Sequence, residues 1–284
     1  PHFLMIRRPP RSTHTQSRRQ RQMCIRDRLS TPGKVLNRLI LDRLKAAVDS
    51  TLRDQQAGFR AERSCTDQIA TLRIIIEQSL EYRSPLHITF VNYAKAFDSL
   101  DREVLWQLTR HYGFPEKIIN IMKNTYSGMQ CRVVHEGHLS ESFPITTGVR
   151  QGCLLSPLLF LLAVDWIMKE TTERRQNGIQ WTPFTQLDDL DFANDLALLS
   201  HNHSQMQDKV SQLDQISEQT GLRISTRKTK RLRANTDSQT PLKVKDSEIE
   251  EVQSFTYLGS VVDGTGGTER DVTAHKEPEP EPHL

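Results

Sequence analysis

An α+β fold is predicted for this chain of 284 residues by three observations. Apolar residues recur at helical spacing in several segments, and short β-rich apolar runs stand between those segments. The two kinds alternate without the regular spacing of a βαβ repeat. In order, Pro32 and Gly33 precede an amphipathic helix whose apolar face is Val35, Leu36, Leu39, Ile40, Leu44 and Ala47. A second helix, from about Asp67 to Glu81, turns Ile69, Leu72, Ile75, Ile76 and Leu80 inward. His87–Asn92 reads as a buried strand ended by a polar turn. Asp101 caps a helix through Leu105 and Leu108 that Gly113 closes, and Pro115 opens the next, to about Tyr126. Strands around Cys131–His135 and Leu139–Thr146 meet at Glu136-Gly137, and a long helix follows Pro157. Leu187–Leu199 has apolar runs flanking a tight polar centre, which predicts strand, turn and strand. A helix over Ser204–Gln219 stops at Gly221, and short strands are expected around Leu222–Ser225, Leu242–Lys245 and Ser254–Val262.

Composition excludes several classes. With 36% hydrophobic and 26% charged residues, the chain is not collagen, a coiled-coil rod, a wholly disordered chain or a membrane bundle. The most apolar stretch, Leu154–Met168, is interrupted by Ser156, Pro157 and Asp165 and is too short to span a bilayer. The net charge of +3 is unevenly spread, since residues 1–28 carry eight arginines and one acid and leave the remainder at −4. Bulk charge therefore says nothing of a nucleic-acid partner for the folded part. Residues 1–28 lack a periodic apolar face, Pro9 and Pro10 break any helix there, and the string resembles translated sequencing-adapter reads. They are expected to lie outside the fold, as a disordered leader. Residues 264–284 are expected to be a disordered tail, with Glu-Pro alternation from Glu277 to Pro282. Cys24, Cys65, Cys131 and Cys153 form no paired spacing, so neither a zinc site nor a disulfide framework is expected. His201 and His203 read as surface residues. The thiols suit an intracellular protein, nuclear or cytoplasmic and not secreted.

Two acidic turns carry the chemistry. Carboxylates at strand ends can hold the two divalent ions, about 4 Å apart, that assist nucleotidyl transfer. Magnesium needs only one or two protein carboxylates beside substrate phosphates. The end of the His87–Asn92 strand and the tip at Asn194-Asp195 fit that pattern, whereas an EF-hand is excluded by the absent mid-loop glycine and terminal glutamate. Around them stand QAGFRAERSCTDQI (56–69), FVNYAKAFDSLDR (90–102), GVRQGCLLSPLLF (148–160), DFANDLALL (191–199), GLRISTRKTK (221–230) and FTYLGSVV (255–262). In that order these blocks resemble the reverse transcriptase domain of non-LTR (LINE-type) retrotransposons.

The resemblance implies a right-hand polymerase fold over residues 29–263. Fingers would come from about 33–86 and 113–147, the palm from about 87–112 and 148–263, and the thumb would be missing or truncated. It implies RNA-directed DNA synthesis with two Mg2+ ions, an RNA template, a DNA primer and deoxynucleoside triphosphates. Asn92, Asn194 and Asp195 would stand at the metals. Arg60 and Arg63 would contact the triphosphate, Phe97 would discriminate against a 2′-OH, and Gln151 and Gly152 would shape the floor under the nucleotide. Lys228 would donate a proton to pyrophosphate, and Phe255, Tyr257, Leu258 and Gly259 would form the primer grip.

The family pattern has aspartate at all three metal positions, yet here asparagine stands at 92 and 194. The site falls from −3 to −1, and hard magnesium prefers anionic oxygen. Asp98 lies beyond the strand end, and Asp191 should point to the opposite face by strand alternation. Nucleotidyl transfer is expected to be all but lost in this copy. The rival expectations are a non-catalytic nucleic-acid-binding remnant and an untranslated pseudogene fragment.

Overall fold

The computed structural model describes residues 23–25, 31–135, 138–173, 177–236, 240–267 and 271. The first half of the chain forms β1 (Met23–Ile25), α1 (Thr31–Asp49), α2 (Cys65–Glu81), β2 (Leu86–Val91), α3 (Ala96–Ser99), α4 (Arg102–His111), α5 (Glu116–Tyr126), β3 (Gln130–His135), β4 (His138–Leu139) and β5 (Phe143–Pro144). The second half forms α6 (Ser156–Thr172), β6 (Ile179–Gln180), β7 (Gln186–Leu187), β8 (Asp189–Phe192), β9 (Asp195–Ser200), α7 (His203–Gln219), β10 (Lys230–Ala234), β11 (Lys243–Val244), β12 (Ser247–Glu248), β13 (Glu250–Glu251), β14 (Ser254–Tyr257) and β15 (Ser260–Asp263). The described residues fall into two compact units: 23–25 with 126–135 and 138–146, and those within 31–125 and 147–271. This division separates 126–146 from the other stretches expected to build the fingers.

In the smaller unit β3 pairs antiparallel with β1, β4 and β5. The sequence predicts no element before residue 29, so β1 corrects that expectation for Met23–Ile25. Backbone N–H and C=O groups of a strand edge accept a neighbouring strand with little regard to side-chain pattern, which is why periodicity misses it. The rest of the leader lies outside the described residues. The expected disordered tail needs a similar correction where it is described. Asp271 accepts hydrogen bonds from the Val261 N–H at 2.7 Å and from Ser260 Oγ at 3.1 Å, and pairs with Arg73.

The larger unit is organised by a five-stranded sheet in the order β13-β10-β2-β9-β8, with only the β13–β10 pairing parallel. All six residues of β2 are buried, because each face of the sheet is covered. On one face Leu72, Ile75 and Ile76 of α2 pack with Ile88, Phe90, Leu199 and Leu232. On the other lies α7, where His203 meets the His87 ring edge-on. Local chemistry starts these helices, at Asp101 as predicted and at Ser64 and Asn202 through caps the sequence reading did not name. Asp101 accepts from the Glu103 and Val104 N–H groups, Asn202 caps α7, and Ser64 with Asp67 forms a capping box on α2. Helix α6 is apolar on all sides and buried almost throughout.

Two expectations fail on tertiary grounds. The buried stripe of α1 is Asn37, Ile40, Leu44 and Val48, leaving Val35, Leu36, Leu39 and Ala47 exposed. Asn37 Nδ2 donates to Cys153 Sγ at 3.3 Å, so the chosen face follows its neighbour and not hydrophobicity alone. The other is β10, a basic segment with no predicted strand that nevertheless pairs along the whole of β2. Its Leu232 and Ala234 enter the core, while Lys230 and Arg233 pair with Glu250 and Glu251 of β13. Arg231 is buried, donating to His87 Nδ1 at 2.9 Å and to the Thr240 carbonyl at 2.7 Å. Conversely, Leu222–Ser225 supplies only the bridge Tyr93–Ile224.

A buried ionic cluster ties the segment after α1 to the sheet. The Arg53 guanidinium donates to both Asp189 oxygens, at 2.9 and 2.8 Å, and to Asp191, and its Nε lies 3.7 Å from Asp165. Asp165 also accepts from Tyr112 Oη at 2.5 Å and pairs with Lys169 at 3.0 Å. Burial and the adjacent Asp189 hold the Asp191 carboxyl well above its ordinary range. Burial opposes ionisation of Asp189, but Arg53 outweighs it and lowers that carboxyl.

Replacing Arg53 by leucine should cost about 3–5 kcal/mol, the range for breaking a buried pair by deleting one partner. Adding Asp189→Asn and Asp191→Asn should recover part of it. Urea midpoints at pH 7 measure both effects, and a loss under about 1 kcal/mol, the scale of exposed pairs, would show that the cluster is not a structural tie. A second outcome concerns acid. Burial, followed by the charges of Arg231, His203 and Arg233, lowers the His87 imidazole to about 4. An unfolded imidazole titrates near about 6.5, so below that pH the unfolded state takes up a proton the folded state refuses. Stability should be full above about pH 6.5 and fall toward pH 4 by on the order of 2 kcal/mol. His87→Asn, which keeps an acceptor for Arg231, should remove that share of the slope; identical slopes in variant and parent would contradict it.

Candidate functional site

Strands β2 and β9 run antiparallel with Val91 opposite Leu196. Continuing that register brings Asn92 and Asp195 to the same end of the sheet. A one-residue slip would exchange the faces of strands buried on both sides, so the register is strongly specified. Both residues line a groove of about 290 Å³ together with Phe255, Thr256, Tyr257, Leu258 and Gly259. The last five belong to the β14–β15 hairpin, whose two turn residues, Leu258 and Gly259, have φ of 52° and 88°. Such turns match the twist of paired strands and favour glycine. Phe255 stacks on Phe90 at 4.3 Å, and Tyr257 Oη donates to the Leu190 carbonyl at 3.1 Å, fixing the hairpin to the sheet.

Phe192 and Asp195 pair across the β8–β9 turn, which contains Ala193, at φ 57°, and Asn194. Asn194 Nδ2 donates to Asp195 Oδ1 at 3.3 Å, and burial raises the Asp195 carboxyl above its ordinary range. Asp191 points away, into Arg53. The Asn92 N–H donates to Thr229 Oγ1 at 3.2 Å, and its carbonyl accepts from the Ser225 N–H at 2.8 Å. These bonds anchor the 225–229 turn, with exposed Lys228, beside Asn92.

The turn at Ala193 is braced from an unexpected quarter. Gln56 is fully buried; its Oε1 accepts from the Ala193 N–H at 2.8 Å and the Gly58 N–H at 2.9 Å, and its Nε2 donates to the Ala193 carbonyl at 3.3 Å. The Ala57 N–H donates to the Asp191 carbonyl at 2.9 Å, beside a parallel bridge between Gln56 and Asp191. Gly58 is required by this approach, since a Cβ there would lie 2.2 Å from the Ala193 nitrogen. Sequence reasoning takes the arginine of this block as its working residue and passes over Gln56. A glutamine followed two residues later by a glycine was the available signal for a side chain turned back onto a tightly packed backbone.

Other expected site residues gather elsewhere. Phe97 stacks on Phe160 at 4.5 Å, and the Val149 N–H donates to the Phe97 carbonyl at 2.7 Å. Gln151 is exposed with Nε2 3.5 Å from Asp98 Oδ1, and Gly152 is exposed beside it. Phe97, Gln151 and Gly152 thus gather around α3 and the 147–152 loop and are not among the residues that line the groove. Arg60 and Arg63 line a separate groove of about 770 Å³ with Asp49, Asp54 and Trp181. Arg60, 6% exposed, donates to the Asp49 carboxylate at 2.8 Å and to the Asp49, Arg53 and Gln56 carbonyls. Carbonyls at the end of α1 need donors, and Arg60 supplies them. Arg63 pairs with Asp54 at 2.9 Å.

As a donor set for two magnesium ions, Asn92, Asn194 and Asp195 do not fit. They supply one carboxylate, and an amide N–H already points at it. Among the described residues, no group of three or more His, Cys, Asp or Glu is placed to hold a metal ion.

A reverse transcriptase (RNA-dependent DNA polymerase) family model matches residues 19–262, taking in part of the segment set aside as a leader. The Pol polyprotein of the type-2 retrotransposable element R2DM of Drosophila melanogaster is 31% identical over 134 residues, covering 47% of this chain and 12% of that protein. The RNA-directed DNA polymerase from the mobile element jockey of Drosophila melanogaster is 25% identical over 250 residues, covering 83% of this chain and 26% of that protein. The chain therefore spans a quarter or less of these relatives' length. Among solved structures, telomerase from Candida tropicalis with the TWJ fragment of telomeric RNA superposes with a TM-score of 0.56 at 14% identity, over 89% of this chain and 39% of that one. Its apo form truncated from the C-terminal domain gives 0.54 at 15% identity, over 83% and 44%. These likenesses show the α+β polymerase fold. The chain belongs to the reverse transcriptase (RNA-dependent DNA polymerase) family, as a reverse transcriptase domain of the non-LTR, LINE-type retrotransposons.

Proposed function

We propose that this domain is built for RNA-templated addition of deoxynucleotides to a DNA primer, and that Asn92 and Asn194 leave this copy impaired in nucleotidyl transfer. The observation that carries the reading is the groove shared by Asn92, Asp195 and the Phe255–Gly259 hairpin. It has the form of a metal-bearing strand end facing a primer-gripping hairpin, with the charge removed. An Asp-to-Asn exchange is nearly isosteric, so the shape persists while the electrostatics fail. An amide oxygen can accept a coordination bond but brings no charge. Two-metal assistance is worth several kcal/mol at the transition state, so the loss amounts to about a thousandfold or more in rate. Lys228, beside the anchored end of β2, is the proton donor in this reading. Phe97, Gln151 and Gly152 serve the nucleotide from the α3 side. The reading keeps the chain inside the cell.

Asn92→Asp with Asn194→Asp should raise Mg2+ and Mn2+ affinity by at least about tenfold, the step expected when hard cations gain anionic oxygens. Either change alone should recover little. Fused to a relative's thumb segment, the doubly changed chain should extend a DNA primer on an RNA template, and the matched unchanged fusion should stay at background. Robust magnesium-dependent extension by the unchanged fusion would overturn the impairment. A doubly changed fusion that binds RNA–DNA hybrid and never extends it would favour a nucleic-acid-binding remnant instead.

A further inference from the structure

We infer that Gln56 is a positioning residue for the turn that presents Asn194 and Asp195: its buried amide clamps the N–H and C=O of Ala193 and holds that residue in its left-handed conformation. The inference rests, for its functional consequence, on the metal-bearing role proposed for this turn. Three observations carry it. Gln56 makes both of its Ala193 bonds, at 2.8 and 3.3 Å, from a site with no solvent exposure. Ala193 has φ 57°, a conformation a non-glycine residue holds only when its surroundings impose it. Gly58 lets the clamping segment lie directly against the Ala193 backbone, where any side chain would collide. A side-chain amide carries an acceptor and a donor on one carbon, as a peptide group does, and can satisfy a peptide N–H and its C=O together, so glutamine acts here as a surrogate strand neighbour. The clamp reaches the turn from the segment after α1 and ends one residue short of Asn194. The clamp thereby acts directly on the backbone that carries the two residues of this turn proposed to hold metal.

The test compares Gln56→Met with Gln68→Met. Gln68 is a second buried amide of the same region; its Nε2 donates to the Gln55 carbonyl at 3.1 Å, and it lines the separate groove of Arg60 and Arg63, not the one at Asn92 and Asp195. Native-state hydrogen exchange of the unchanged chain should show Ala193 N–H protection falling by about tenfold or more in Gln56→Met and holding in Gln68→Met at matched stability. In the Asn92→Asp, Asn194→Asp background, Mn2+ affinity read by electron paramagnetic resonance should fall about tenfold with Gln56→Met and less than about twofold with Gln68→Met. Ala193→Gly accepts the positive φ without strain, so it should shrink the Gln56→Met loss to about threefold or less. If Gln56→Met does not fold, Gln56→Asn withdraws the same amide by one methylene and gives the same readings. Equal effects of the Gln56 and Gln68 changes, or unaltered Ala193 protection, would overturn the inference. If the doubly substituted parent binds no Mn2+, the metal-bearing reading fails, and the exchange arm alone decides whether the clamp exists.

Discussion

The larger unit depends on one buried cation. Arg53 is held between Asp165 of α6 and Asp189 and Asp191 of β8, with its side chain only 8% exposed. Burial alone would lower its guanidinium, but the carboxylates at Asp189 and Asp191 more than reverse that and keep it charged. Desolvating such groups is costly, and hydrophobic residues of similar volume can be as stable. What the ions add is direction, since the guanidinium fork fixes the Asp189 and Asp191 carboxyl groups in orientation, with Asp165 held by the Arg53 N–H, where apolar contacts would tolerate sliding. The segment leaving α1 is pinned against β8, and the parallel bridge at Gln56 and the approach of Gly58 follow from that pinning.

The groove shows how shape and charge separate in such a site. Its walls come from buried strand faces, a two-residue hairpin turn and the aromatic stack of Phe90 on Phe255. None of these senses whether residues 92 and 194 are acids or amides. The Asn194 amide even finds a partner in Asp195 that a second carboxylate could not provide without a proton or a cation. A binding cleft can therefore outlive the chemistry it was shaped for, because packing is maintained by dozens of contacts and catalysis by very few.

Where the sequence was legible, the physics was local or periodic. Ser64, Asp101 and Asn202 start helices because their oxygens meet N–H groups two or three residues away. Leu86–Val91 and Leu196–Leu199 are strands that pattern alone identifies, and the family blocks point to Asn92 and Asp195 as partners. The failures are those of long-range partnership. Arg231 is buried because His87 and the Thr240 carbonyl receive its protons, which no window of the sequence around it discloses. The donors of Arg60 are taken up by the Asp49, Arg53 and Gln56 carbonyls, which the sequence around it does not disclose.

The sequence by itself determined the family, the main helices with the central strands β2, β8 and β9, and the loss of acid at positions 92 and 194, since each is written in residue identity and near spacing. Tertiary structure alone decided which face of α1 is buried and that a basic segment becomes a strand beside β2. It alone put Gln56 on Ala193, 137 positions apart in the chain. A hydrogen bond of that separation depends on where two backbones are brought by everything between them, and no local rule carries that information.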